Sequence, residues 1–288
     1  MKILHLFQWK LTDIMVHLEK IKEQGFDAIQ IGPIQPTKDK GMAWWLLYQP
    51  TGLTIGNTQI GTHGELIKLC EMANALGIKV IVDVVLRHVA GDEHDPLKPH
   101  KFVDKELLPF IRVTKQCDNY DDRWKCTHMA TGMPVLDYDN PEYQHMIVNF
   151  LDALLACGVH GFRLDQLKHY ALPEEGSNIM HLLSQYVFYG ECIYCRQDIL
   201  DKYTKYMKVL TEGRPSNPEM LIAKFETHDD FLGFKTTIGM NDNMRLTEWD
   251  VLVNKCKYDA LFYSRPFDKL WEHPLMKDIN EGRSICDI

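Results

Sequence analysis

A chain of 288 residues, 45% hydrophobic and 25% charged, has the make-up of an ordinary globular protein with material for one large core. Its 32 basic and 40 acidic residues give a formal net charge of −8, with the acids dispersed along the chain. That balance argues against nucleic acid or an anionic membrane as partner, since both select basic patches, and no apolar run approaches the roughly 18 residues that would span a bilayer.

The first ten residues carry a short apolar stretch without the hydrophobic region or small-residue cleavage site of a signal peptide. They read as a first strand, Ile3–Phe7, and the expectation is a cytoplasmic protein, or a secreted one if the chain has already been processed. Thr12 is then expected to cap a helix with the apolar face Ile14, Leu18 and Ile21, closed by Gly25. Ala28–Ile31 is a short buried strand. Thr62 and Glu65 form a capping box ahead of Leu66, Leu69, Ala73 and Leu76, with Gly77 as the stop. Ile78–Val85 is a nearly continuous β-branched run, as in a strand buried on both faces.

Asn140 and Pro141 cap and open a helix bearing Ile147, Phe150, Leu151, Leu154 and Leu155 and ending at Gly158. A fourth strand runs from Val159 to Leu164. Later strands are expected at Tyr186–Gly190, Tyr206–Leu210, Leu221–Phe225 and Ala260–Tyr263, with a helix capped by Thr247 and running to Lys255 before the last. About eight strands alternating with helices point to an α/β fold, a closed (β/α)8 TIM barrel of parallel strands. A dinucleotide fold is disfavoured, because no glycine-rich loop follows the first strand. Residues 90–135 break the rhythm with prolines and charges and read as a small subdomain inserted after strand 3. Only 38 residues separate Glu191 from Asp229, whereas two complete units of a barrel of about 250 residues need more than about 60. The unit between strands 6 and 7 is therefore expected to be trimmed.

Polar groups sit at four strand ends, where α/β barrels place their chemistry. The third ends Asp83-Val84-Val85-Leu86-Arg87-His88; the fourth carries Arg163 and Asp165, two apart and so on one side of the strand. The fifth ends Tyr189-Gly190-Glu191, and the seventh leads into His228-Asp229. Beside a guanidinium, Asp165 is expected to stay ionised and available as a nucleophile. Three converging carboxylates exceed what packing requires, since buried charge is costly.

With Leu4-His5-Leu6-Phe7-Gln8-Trp9, Tyr48-Gln49-Pro50-Thr51, Ile55-Gly56-Asn57, Gly161–His169 and Phe262-Tyr263-Ser264-Arg265-Pro266 in the same order, the chain resembles the α-amylase family of glycoside hydrolases. The resemblance implies a catalytic barrel spanning residues 1–288, interrupted by a B-type insertion at 90–135. It implies retaining hydrolysis of α-1,4-glucosidic bonds in starch, glycogen or maltooligosaccharides by double displacement. Asp165 would be the nucleophile, Glu191 the acid and then base with a raised pKa, and Asp229 a ligand of the sugar hydroxyls. Tyr48, Gln49, His88, Arg163, Lys168, His169 and His228 would bind or orient substrate, with Trp44 and Trp45 as glucose platforms. A transglycosylase or α-glucosidase of the same family, or a non-catalytic glucan-binding protein, are the alternatives.

Two departures stand out. The family has Asn, a ligand of a structural calcium, where this chain has Arg87, whose guanidinium offers no lone pair. Either the calcium is lost, with Arg87 neutralising the acidic run at Asp118, Asp121 and Asp122, or it is bound differently, Asp118, Asp121, Asp122 and His169 being the candidate ligands. No cofactor is needed for the chemistry itself. The chain also ends 22 residues after Pro266, where secreted members carry a β-sandwich domain. Of eight cysteines, Cys70, Cys157 and Cys256 read as buried thiols. Cys192 and Cys195, with Cys117 and Cys126, could form a tetrathiolate zinc site, a local disulfide, or remain as reduced thiols.

Overall fold

The computed structural model describes residues 1–38, 43–224 and 259–264. Eight parallel strands close into a barrel in sequence order. They are β1 Lys2–Leu6, β2 Ala28–Ile31, β3 Lys79–Val84, β4 Gly161–Leu164, β5 Val187–Glu191, β6 Lys208–Leu210, β7 Leu221–Lys224 and β8 Ala260–Ser264. The helices are α1 Leu11–Glu23, α2 His63–Ala75, α3 Arg123–His128, α4 Pro141–Ala156, α5 Ile179–Leu183 and α6 Gln197–Tyr203.

Period-two alternation separates two cores. Leu4, Leu6, Ile29, Ile31, Val80, Val82, Val84, Phe162 and Leu164 face the helices, joining Ile14, Leu18, Leu66, Leu69, Ile147 and Leu154 in the main cluster. Ile3, Ala28, Ile81, Tyr189, Leu210, Ile222 and Leu261 form a second cluster, one from each of seven strands, which fills the barrel interior. One alternation further along, the same inward rows present His5, Gln30, Asp83 and Arg163, all buried. An apolar plug thus floors a polar layer, and the site stands on that floor.

Local chemistry accounts for the helix ends. Thr62 and Glu65 complete the expected capping box, and Asn140 caps α4 with Pro141 in its first turn. Gly158 ends α4 at φ 93°, where a side chain would be strained and a Cβ would lie 3.0 Å from that of Cys70. Thr12 does not cap α1. The helix begins two residues earlier than that cap implies, at Leu11, with Lys10 as an N-cap that makes no side-chain bond. The Leu11 amide donates instead to the Ile60 carbonyl at 2.9 Å, so a tertiary contact satisfies a helix-terminal donor that a local side chain was expected to meet.

The trimming is broader than expected. Between β6 and β7 there is only a 3-10 turn at Pro218–Met220, while α5 and α6 span five and seven residues against 13, 13 and 16 in α1, α2 and α4. Between β3 and α4 the chain leaves the barrel, carrying α3 and isolated bridges such as His88–Val135 and Ile111–Leu136. The helix expected at Thr247–Lys255 lies outside the described residues. No helix among the described residues is long and apolar enough to cross a membrane.

Gly190 is fixed by packing: a Cβ there would lie 2.7–3.0 Å from three side-chain atoms of Leu167, including its Cβ. Gly190→Ala is expected to destabilise the fold by about 1–3 kcal/mol, the range for overpacking, measurable as a lowered urea midpoint at unchanged slope.

Candidate active site

The strand register brings Asp83 on β3 level with Arg163 on β4, and Arg163 level with Tyr189 on β5. Arg163 is 2% exposed and carries the cluster. Its Nη1 donates to both oxygens of Asp83 at 2.8 and 3.0 Å and to Asp165 Oδ1 at 3.1 Å, while Nη2 pairs with Glu191 Oε1. Three carboxylates from three neighbouring strands therefore converge on one guanidinium. The Tyr48 hydroxyl donates to Asp83 Oδ2 at 2.9 Å, and its ring lies 5.9 Å from the Arg163 guanidinium carbon. His88 bonds the Tyr48 carbonyl through Nε2 at 2.8 Å, and its buried Nδ1 has no hydrogen-bond partner among the described residues.

The charge balance corrects one expectation. Burial first, then repulsion from Glu191, pushes Asp165 well above the usual carboxylate range; Arg163 opposes this but does not prevail. Among the described residues one cation serves two buried acids, Asp83 and Asp165, and the half-buried Glu191, so the cluster favours keeping a proton. Burial also drives His88 down to about 4, so its ring is neutral near pH 7. Asp83, equally buried, is raised by burial against the pull of Arg163. Directly after Asp165, Gln166 sits at φ 54°, a conformation L residues avoid, and its amide lies 3.4 Å from Glu191 Oε2.

Trp44 is half-buried, its ring 6.3 Å from those of Phe7 and Tyr48, whereas Trp45 is 52% exposed. Gln49 is half-buried beside Tyr48. Lys168 is half-buried, with Nζ 5.5 and 5.8 Å from the Tyr120 and Tyr194 ring centres. At His169, Nδ1 donates to the Cys126 carbonyl at 2.9 Å, and the residue's own carbonyl accepts from Arg87 Nε at 3.0 Å. His169 thus ties the β4 loop to α3. Asp229 and His228 lie outside the described residues.

Neither metal candidate set forms. Asp118 pairs with Lys125 at 2.8 Å, Asp122 caps α3, and Asp121 is exposed. Arg87 does not neutralise that run. Buried to 1% exposure, it donates from Nη2 to the carbonyls of Met129 at 2.7 Å and of Cys126 and Thr127 at 3.4 Å, and from Nη1 to Thr131 Oγ1 at 3.4 Å. Calcium needs six to eight oxygens, with carboxylates among them; here the oxygens are carbonyls and a hydroxyl, already engaged by a guanidinium, so these residues do not fit that ion. The four cysteines likewise do not assemble: Cys126 Sγ faces the Lys168 carbonyl at 3.6 Å and His169 Nδ1 at 3.4 Å, and all six described cysteines are free. Among the described residues no three His, Cys, Asp or Glu side chains are disposed to hold a metal.

Sequence reading missed Arg123. It bonds both Glu175 oxygens at 2.8 and 2.9 Å, the Lys168 and Tyr170 carbonyls at 2.7 and 3.2 Å, and the Tyr203 hydroxyl at 2.9 Å. Its place at the head of a short polar helix gave no signal of burial.

The family model "Alpha amylase, catalytic domain" matches residues 10–222. An α-amylase of Clostridium acetobutylicum is 27% identical over 97% of this chain and 43% of its own length. An α-amylase-related protein of Drosophila bipectinata is 30% identical over 60% of the chain and 37% of its own length. The chain thus spans less than half the length of these curated relatives. Among solved structures, α-amylases of Anoxybacillus and Malbranchea cinnamomea both superpose with TM-score 0.75. They cover 98% of this chain, and it covers 78% and 75% of theirs, at 16% and 18% identity.

The raised pKa of Asp165 sets a stability prediction. Its carboxyl binds a proton more tightly folded than unfolded, so its contribution is full below about pH 3.9. That contribution is lost as pH rises through the folded value. Asp165→Asn is therefore expected to raise Tm at pH 7 by roughly 2–4 °C, the equivalent of about 1 kcal/mol, with the gain vanishing near pH 4; calorimetry at both pH values measures it.

Proposed function

The chain belongs to the α-amylase family, and from that premise we propose that it hydrolyses α-1,4-glucosidic bonds of starch, glycogen or maltooligosaccharides with retention of configuration. The observation that carries this reading is the bridging of Asp165 and Glu191 by one guanidinium. A retaining glycosidase needs two adjacent carboxyls about 5–5.5 Å apart, one ionised and one protonated. Among the described residues the cluster has fewer cations than acids and so shares a proton; the proposed chemistry takes that proton on Glu191, which leaves Asp165 ionised for attack.

In the proposed cycle Asp165 attacks the anomeric carbon while Glu191 protonates the departing oxygen; Glu191 then removes a proton from water, which displaces Asp165. Arg163 orients both acids and limits the charge that develops on Asp165 as it leaves. Tyr48 presents its ring beneath the sugar, and neutral His88 offers acceptor capacity at Nδ1 to a hydroxyl. Trp44, Trp45, Gln49 and Lys168 extend the substrate surface, and Asp229 and His228 complete it. His169 acts through its tie to α3 instead of on the sugar. Residues 90–135 are read as a B-type insertion beside the barrel mouth. No metal takes part in these steps. Arg87 is read as the built-in cation of the junction between that insertion and β4, in the role the family gives to calcium.

Two measurements test this. With maltoheptaose, proton NMR of the first products is expected to show the α-anomer, and Glu191→Gln to lower kcat by about three orders of magnitude or more; a β-anomeric first product overturns the retaining reading. For the junction, Tm is expected to be the same in chelator and in millimolar calcium, where a site saturated a hundredfold would add about 2.7 kcal/mol. Arg87→Ala, which strands several buried carbonyls, is expected to cost about 3 kcal/mol or more.

A further inference from the structure

The C-x-x-C that directly follows Glu191 is not used by the chemistry above. Ile193 and Tyr194 form a turn, which sets Cys192 and Cys195 at its first and fourth positions. A β-turn brings such residues to within about 7 Å between Cα atoms, and a disulfide asks for about 4.4–6.8 Å. Tyr194 holds φ 50°, the left-handed value that type II turns require at their third position. The two thiols lie close enough to perturb one another's ionisation.

The environments of the two sulfurs differ. Cys192 is fully buried, and its amide donates to the Leu210 carbonyl at 2.9 Å, extending the β5–β6 ladder by one residue. Cys195 is partly buried and lines a shallow surface pocket with Lys168, Arg123, Arg196, Asp121 and Cys126. Arg123 is paired with Glu175 and Arg196 with Asp198, and Asp121 and Glu212 oppose them, so of these three cations Lys168 is the one left to favour the Cys195 thiolate and to meet an anionic thiol reagent. The Cys192 thiol, aided by Arg123 and Lys168, holds the Cys195 thiol below its ordinary pKa, while burial holds Cys192 above.

We propose that Cys192 and Cys195 are a thiol–disulfide exchange site for small anionic disulfides of the glutathione class, with Cys195 attacking and Cys192 resolving. The Cys195 thiolate attacks one sulfur of glutathione disulfide, forming a mixed disulfide and expelling one glutathione thiolate. Cys192 then gives its proton to water and attacks Cys195 Sγ, expelling the second glutathione thiolate. Two protein thiols are oxidised and one glutathione disulfide is reduced to two glutathiones, so electrons and atoms balance. The product is a four-residue loop closed beside Glu191. This assignment does not depend on the glucan reading, and its test uses no glucan.

The test equilibrates the full chain against graded glutathione and glutathione disulfide, quenches with acid, and maps thiols by peptide mass spectrometry. The wild-type peptide bearing both cysteines is expected to lose two hydrogens reversibly along a single two-electron transition. Cys192→Ser is expected to trap glutathione on Cys195, and Cys195→Ser to leave Cys192 unmodified in the folded protein, with Tm within about 2 °C of wild type in both variants. Iodoacetamide is expected to label Cys195 at least tenfold faster than Cys192. Retention of both thiols at the most oxidising ratio overturns the proposal. So does a Cys126–Cys195 cross-link, or a wild-type protein in which glutathione stays on Cys195.

Discussion

The site depends on a single buried cation. Arg163 lies level with Asp83 through the β3–β4 register and two residues before Asp165, and its fork reaches Glu191 across β5. Removing three carboxylates from water costs several kcal/mol each unless charge and hydrogen bonds compensate. One guanidinium with five donors compensates in part, and the deficit is what keeps a proton within the cluster. The apolar plug below Arg163 enforces this arrangement, because it denies the carboxylates any route to water through the barrel floor.

Arginine serves the same end beside the mouth. Arg87 gathers carbonyls of α3 and of the β4 loop, and Arg123 gathers that loop, Glu175 and Tyr203. These attachments fall on the side of the barrel where α5 and α6 are short and the β6–β7 helix is lacking. Short helices bury little apolar surface, so loops there receive less support from packing. Directional bonds from planar guanidinium groups supply it instead, and they fix geometry more closely than apolar contact does.

What was legible in the sequence follows from what is local. The capping box at Thr62 and Glu65, the Asn140-Pro141 start and the β-branched run of β3 each carry their cause within a few residues, and the structure has them. The trimmed β6–β7 unit was readable from spacing alone. Thr12 failed as a cap because the Leu11 amide found a partner 49 residues away. The charge state of Asp165 was misjudged because adjacency to Arg163 is visible in sequence, whereas burial and the approach of Glu191 from the neighbouring strand are not. The acidic run at 118–122 looked like a cation cage, but Asp118 is spent on Lys125 and Asp122 on capping α3.

The β5 edge shows how one segment can carry two chemistries without conflict. Glu191 and Cys192 are held by the same ladder, and Cys192 donates to Leu210 at the level where Glu191 pairs with it. The turn at Ile193 and Tyr194, with Tyr194 in a left-handed conformation, lies beyond that ladder. Lys168 stands beside this turn. Its ammonium lies between the rings of Tyr120 and Tyr194, and its carbonyl is bound by Arg123. The turn and the acids thus have separate anchors, Tyr194 against Lys168 for the one and the Arg163 guanidinium for the other.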